Sequence, residues 1–264
     1  MKTVSILGCG WLGIALGKKL SERFYVKGST TQIENFNTLE KSGITPFCLN
    51  VLPHEIKGNS ASFFKETDVL FICLPPGKQE IADYPKKIKT IIKTSKAFNI
   101  PKLIFTSSTR VFLDTDLIPT YTENDVPNAT GNRAKHIIAA ENLILNEKGF
   151  VVRFGGLLGT DRHPVHFLSG KTQITKPNAP VNLIQQQDCV RLLTQLLSYT
   201  GKQQVFHGVA NNHPTRKDFY TQAALQKKLN LPQFIKTEIT AQGKIINASL
   251  TEKILDLSFI NLTP

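Results

Sequence analysis

Cysteine is scarce and scattered in this chain. The four residues Cys9, Cys48, Cys73 and Cys189 form no CxxC pair, so neither a disulfide framework nor a zinc ribbon is expected. A cytoplasmic setting follows as the expectation. Long apolar runs are also missing, since nothing approaches the roughly 20 continuous apolar residues that a membrane-spanning helix needs. The short apolar stretch from Thr3 to Leu16 follows a basic Lys2, but spaced glycines interrupt it, Lys18 and Lys19 follow, and no small-residue cleavage site precedes Glu22. It is therefore not read as a signal peptide. Acids are the minority, 20 Asp and Glu against 32 Lys and Arg, and the net charge of +12 favours anionic partners through the summed surface field. The lysines are dispersed, as in Lys86, Lys87, Lys89, Lys93 and Lys96, without interleaved aromatics, so nucleic acid is not an expected partner. Internal repeats and low-complexity linkers are absent as well.

What is present is a regular α/β rhythm. The 264 residues suit one large α/β domain or a nucleotide domain with a small appendage. Val4 to Leu7 reads as a strand, Leu12 to Leu20 as a helix, Phe24 to Val26 as a second strand, Ile33 to Ser42 as a helix stopped by Gly43, and Ile44 to Leu49 as a third strand. Asp68 to Leu74 is a nearly continuous apolar run ended by Pro75, Pro76 and Gly77, the pattern of a strand buried on both faces of a parallel sheet. A helix through Ile81 to Phe98, a strand at Lys102 to Thr106, a helix at Ala134 to Glu147 and a strand at Phe150 to Phe154 continue the alternation. It predicts a doubly wound Rossmann fold with a parallel sheet and a small C-terminal substrate-binding portion. The Rossmann core is placed at 1–160; residues 161–264 are expected to add its last elements and the substrate lobe. The polar stretch from Gly155 to Pro180 is a long irregular segment, and substrate contacts are expected there.

The chemistry is concentrated first in Gly8-Cys9-Gly10-Trp11-Leu12-Gly13. Gly8 allows a tight turn, Gly10 lets backbone approach a pyrophosphate, and Gly13 lets helix pack closely on strand, while free N–H groups at the helix start attract phosphates. Set between a strand and a helix, the motif predicts binding of NAD or NADP. Trp11 is expected over the cofactor or packed at the helix start, and Leu12 and Leu74 are further expected contacts. Where NAD-specific folds offer an acid to the ribose hydroxyls, the chain has Lys27-Gly28-Ser29-Thr30-Thr31. The hydroxyls of Ser29 and Thr30 and a nearby cation suit a 2′-phosphate better, so NADP is favoured over NAD.

From end to end the chain resembles the extended short-chain dehydrogenase/reductase superfamily, specifically its NAD-dependent epimerase/dehydratase-like proteins that act on nucleotide sugars. Beyond the glycine turn, the resemblance is carried by Phe105 to Phe112, by Glu123 and Pro127 ahead of a helix holding Lys135 and Glu141, by Arg153 to Gly159, by Pro180 to Ile184 with Asp188 to Val190, and by Gly243 to Ser249. It implies that Ser108 polarises a substrate hydroxyl or carbonyl and that Lys135 binds the nicotinamide ribose. It also implies a tyrosine acid/base four residues before that lysine, where this chain has Gly131. None of the five tyrosines has a lysine four residues later.

Three readings stay open. The chain is an oxidoreductase or epimerase with another proton donor, for which Tyr121, Arg133 or a water held by Ser108 are candidates; or a non-catalytic NAD(P)-binding redox or metabolite sensor; or an interaction module. Arg110, Arg153, Arg162 and Asn182 are the expected substrate contacts, for an anionic small molecule. No metal is expected, because His163 and His166 lack further ligands at suitable spacing. A serine hydrolase is set aside because Ser108 is flanked by Ser107 and Thr109 rather than by a glycine elbow. A monomer or weak homodimer is expected from the lysine-rich outer face of the helix before the catalytic segment.

Overall fold

The computed structural model describes residues 2–77, 81–236 and 242–264. In chain order the strands and α-helices are β1 (Thr3–Leu7), α1 (Trp11–Leu20), β2 (Tyr25–Thr30), α2 (Phe36–Lys41), β3 (Thr45–Val51), β4 (Ile56–Gly58), α3 (Ser60–Phe64), β5 (Val69–Ile72), α4 (Tyr84–Ala97), β6 (Lys102–Ser108), β7 (Thr120–Tyr121), α5 (Asn132–Asn146), β8 (Phe150–Phe154), β9 (Gly156–Leu158), α6 (Val165–Leu168), β10 (Leu183–Gln185), α7 (Gln186–Ser198), β11 (Val205–Gly208), α8 (Arg216–Gln226), β12 (Ile245–Ile246) and α9 (Ser249–Leu255). They divide into two compact units that interleave along the sequence. The first takes Met1–Ser108, Thr130–Arg153 and Val190–Phe206, and the second takes Thr109–Ala129, Phe154–Cys189 and His207–Pro264. The division thus does not fall at a single point near residue 160.

The first unit is built on an eight-stranded sheet ordered β11-β8-β6-β5-β1-β2-β3-β4, with the last residues of β8 and β11 counted in the second unit. Strands β3, β2, β1, β5 and β6 pair in parallel, and the short edge strand β4 is antiparallel, on β3. Central β5 is buried along its whole length, as its unbroken apolar sequence requires of a strand covered on both faces. Helix α1 lies tight on β1, because an added Cβ at Gly13 would stand 2.6 Å from the Gly8 carbonyl oxygen. Helix α4 turns Tyr84, Ile88, Ile91 and Ile92 inward and Lys86, Lys89, Lys93 and Lys96 outward. In β2, Lys27 is buried and its ammonium donates to the carbonyls of Ser62 (2.9 Å) and Lys65 (2.6 Å), capping the end of α3. Burial holds its pKa below the usual lysine value.

The second unit carries two small parallel pairs, β9 with β10 and β7 with β12. Its core gathers Leu158, Val165, Val181, Leu183, Phe219, Tyr220, Ala223 and Leu262. The segment expected to be irregular after Gly155 thus contains β9 and α6. Glu123 is buried here; its Oε1 accepts from the Thr251 N–H (2.8 Å) and hydroxyl (2.6 Å), so the carboxylate caps the first turn of α9. Among the described residues, no helix is long and apolar enough to cross a membrane.

Candidate functional site

The glycine turn is shaped by its own backbone. Gly8 sits at φ +101°, where side-chain-bearing residues are strained, and an added Cβ there would meet the Cys73 carbonyl oxygen at 2.8 Å. Its N–H donates to Ser29 Oγ at 2.9 Å, and the Cys9 N–H donates to the Ser29 carbonyl at 2.7 Å, tying the turn to the end of β2. Gly10 caps α1 without a side-chain hydrogen bond, and nothing lies within 4 Å of the position its Cβ would take. A helix start without a side-chain cap beside open space is the arrangement that receives phosphate.

That turn forms one wall of a cleft of about 430 Å³ within the first unit. Leu49, Val51 and Ile88 give it an apolar side, and Ser29, Thr30, Thr31, Asn35 and Asn50 a neutral polar one, with Lys87 from α4. No carboxylate stands among the described residues that line it. Thr30 Oγ1 accepts from the Gln32 N–H (3.2 Å) and the Asn35 amide (3.2 Å), which orders the rim at the end of β2. Cys73 also lines the cleft; burial pushes its thiol up to about 12, so it is neutral and unreactive near neutral pH.

The facing wall, Leu74 to Gly77, carries two prolines and is pinned from outside. The Tyr84 hydroxyl donates to the Leu74 carbonyl at 2.9 Å. Arg133, in the first turn of α5, donates from Nη2 to the Pro76 carbonyl at 2.8 Å and from Nη1 to the Gly77 carbonyl at 3.3 Å. Sequence reasoning weighed Arg133 only as a proton donor and missed this fork. A legible signal existed: Arg133, Ile137 and Ile144 share the helical stripe on which α5 buries Ile137, Ala140, Glu141 and Ile144.

Of the expected cofactor contacts, Gly8, Gly10, Ser29, Thr30 and Leu74 line this cleft. Gly13 is buried behind the turn, and Trp11 and Leu12 are half-buried at the helix start. Lys135 lies on the exposed side of α5, next to buried Ala134 and two positions before buried Ile137. Ser108 closes β6, half-buried, while its neighbour Ser107 donates to Glu141 Oε1 at 2.5 Å. Gly131 caps α5, and a Cβ there would meet nothing within 4 Å.

Arg153 was expected on an anionic substrate, but its guanidinium is turned into the protein. Nε and Nη2 donate to Glu141 Oε2 at 3.1 and 2.8 Å, in a pair whose side chains are 3% and 1% exposed. Tyr121, in the second unit, is committed likewise: its hydroxyl donates to the Leu113 carbonyl (3.2 Å) and accepts from the Asn128 amide (2.9 Å), and its ring stacks on Phe112. Neither residue is positioned for the role the sequence suggested.

Within the second unit lies a separate cleft of about 400 Å³, with Arg110, Lys176, Arg216 and Lys244 on its walls beside Asp114 and Asn182. Two of the expected substrate residues, Arg110 and Asn182, are thereby brought together. Asn182 is fixed by its amide, which donates to the Lys244 carbonyl (2.8 Å) and accepts from the Ile246 N–H (2.9 Å). Arg162 lies elsewhere, exposed in a backbone bridge with Gly159. Sequence reasoning missed Lys176, Arg216 and Lys244, which lie on segments far apart in the chain.

No family model matches the chain. The protein YeeZ of Escherichia coli (strain K12) is 32% identical over 256 residues, spanning 94% of this chain and 92% of that protein. The UDP-glucuronic acid 4-epimerase from Bacillus cereus, solved with NAD, superposes with a TM-score of 0.81 at 15% identity, covering 98% of this chain and 92% of that one. The dTDP-glucose 4,6-dehydratase from Bacillus anthracis str. Ames, also solved with NAD, gives 0.78 at 13% identity, covering 98% and 92%. At such identities these two structures speak for the fold. Together these findings show that the chain belongs to the family of YeeZ and has the fold of the NAD-bound epimerase and dehydratase with which it superposes.

Proposed function

We propose that the chain binds a nicotinamide dinucleotide in the cleft of its first unit, NADP in preference to NAD, and acts as an oxidoreductase or epimerase on an anionic hydroxyl or carbonyl substrate of nucleotide-sugar type. The observation that carries the reading is the cleft of about 430 Å³ lined by Gly8 and Gly10 at the start of α1, a helix end without a side-chain cap, where open space lies beside Gly10. The neutral rim of Ser29, Thr30, Thr31, Asn35 and Asn50 supports NADP, because a carboxylate there would repel a 2′-phosphate. Lys27, whose charge seemed available from the sequence, is spent inside the fold and adds nothing to that preference.

When bound, the dinucleotide supplies the hydride chemistry. The chain's own residues bind and orient it: the glycine turn receives the phosphates, Tyr84 and Arg133 hold the facing wall, and Ser108 at the end of β6 offers a hydroxyl to the substrate oxygen. The cationic cleft of the second unit is by itself a binding site for an anionic ligand, through Arg110 and Arg216. Proton transfer is the weak step, since Gly131 has no side chain, and general acid/base groups contribute about 10²–10⁴ in rate.

A second reading, a non-catalytic NAD(P)-binding sensor, is favoured by the outward Lys135 and the committed hydroxyl of Tyr121. The open space at Gly131 separates the two. Gly131→Tyr is expected to raise redox turnover at least tenfold in an enzyme, whereas no gain in a folded, cofactor-loaded variant supports the sensor. Binding itself is read from Trp11, the sole tryptophan, which stands at the start of α1; its emission is expected to fall on addition of NADPH.

A further inference from the structure

The cationic cleft of the second unit contains a charge of its own. Asp114 stands among four basic residues, with Lys244 Nζ 3.1 Å from its Oδ1 and Lys176 Nζ 3.6 Å from its Oδ2. The first contact is built into the backbone. Thr115 and Gly243 form an antiparallel bridge, each N–H donating to the other's carbonyl at 3.0 Å, so the residues flanking the bridge, Asp114 and Lys244, are held face to face. Lys244 is further fixed by donating to the Phe112 carbonyl at 2.6 Å, and its side chain is only 13% exposed. Asp114 is different: its side chain is 44% exposed, so its carboxylate borders solvent.

The geometry points to Asp114 as a resident counter-anion that occupies the place of a ligand's anionic group and makes the cleft select ligands carrying two or more negative charges. The inference rests on the reading above that this cleft binds the anionic ligand, and deepens it by naming what sets the selection. A monoanion that displaces Asp114 exchanges one negative charge for another and gains little from Lys244 and Lys176. A ligand with a second charge keeps the surplus, which also engages Arg110 or Arg216. Asp114 is half-exposed in both pairs, and ion pairs open to solvent on one side are weak, so displacement of the carboxylate costs little.

The test is calorimetric titration of the full chain at low ionic strength with pyrophosphate and, separately, with acetate, every protein in the series carrying Gly10→Asp so that the glycine-turn cleft takes no pyrophosphate. The Gly10→Asp parent is expected to bind pyrophosphate and not acetate, and Asp114→Asn to bind pyrophosphate about tenfold more tightly while beginning to bind acetate, as removal of a competing charge a few ångströms away requires. Arg216→Ala must weaken pyrophosphate binding for the signal to belong to this cleft. Equal or weaker affinity in Asp114→Asn, with the Arg216→Ala loss present, overturns the role of Asp114 and leaves the anion cleft standing. Pyrophosphate binding that Arg216→Ala does not weaken, or none in either protein, overturns both.

Discussion

Arg153 and Glu141 form a two-pronged ion pair in which Nε and Nη2 of the guanidinium reach one carboxylate oxygen at 3.1 and 2.8 Å, with both side chains almost wholly buried. The other carboxylate oxygen accepts from Ser107. The pair locks α5 to β6 and β8 from beneath. Its loss is a stability event rather than a substrate-binding one: Arg153→Ala strands a buried carboxylate and is expected to cost about 3–5 kcal/mol in chemical denaturation. A value near zero would free Arg153 for the ligand role its sequence position suggested.

Two glycines of the turn separate folding from binding. Gly10→Ala adds a methyl group where nothing lies within 4 Å, so thermal stability is expected to hold while NADPH affinity falls at least tenfold. Gly13→Ala drives a methyl group to 2.6 Å from the Gly8 carbonyl oxygen and is expected to lower both. Intact affinity in Gly10→Ala would mean that no phosphate approaches this backbone.

Much of the fold was legible because it depends on local pattern. Gly8 to Gly13 marks the β1–α1 junction, the run from Asp68 to Leu74 marks β5, and Phe150 to Phe154 is observed as the strand its sequence reads as. The second unit was not legible. Its pairs β7 with β12 and β9 with β10 are two or three residues long, too short to show a period of two, and join segments far apart in the chain. At the site, a spacing of four residues from an absent tyrosine drew attention to Lys135, whereas the buried stripe of α5 selects Arg133. Lys27 and Arg153 looked like functional charges in the sequence because nothing local announces that their partners, Ser62 and Glu141, lie beside them in the fold.

Arg133 is expected to act on the cofactor through the wall it holds. The Pro76 and Gly77 carbonyls accept from the Arg133 side chain, so Arg133→Ala is expected to lower NADPH affinity about tenfold with little change in melting temperature, mainly through faster dissociation. Arg133→Lys restores only part of it, because an ammonium cannot fork two carbonyls in the geometry of a guanidinium. Stopped-flow dissociation rates that match the wild type in both variants would remove Arg133 from the cleft's architecture.

His163 gives the second unit an acid-side weakness. It is buried, its Nδ1 accepts from the Val165 N–H at 3.1 Å, and its ring stacks on Phe219. Burial first, then the nearby Lys227 and His166 charges, hold its pKa down to about 4. Between that value and the ordinary histidine range the unfolded chain binds the proton and the folded one does not, so stability is full above about pH 6.5 and falls as the pH drops toward 4. His163→Asn keeps an acceptor for Val165 and is expected to flatten this part of the profile in urea titrations at several pH values. An unchanged slope would place the acid sensitivity elsewhere.

The central claim is that the cleft beside Gly8 and Gly10 is a dinucleotide site, and calorimetric titration of the purified chain with NADPH and with NADH tests it most directly. The account predicts one-to-one binding of NADPH, tighter than that of NADH, and its loss in Gly10→Asp. Absence of binding for both dinucleotides in the folded wild type would contradict it, leaving the glycine turn as a structural junction between β1 and α1.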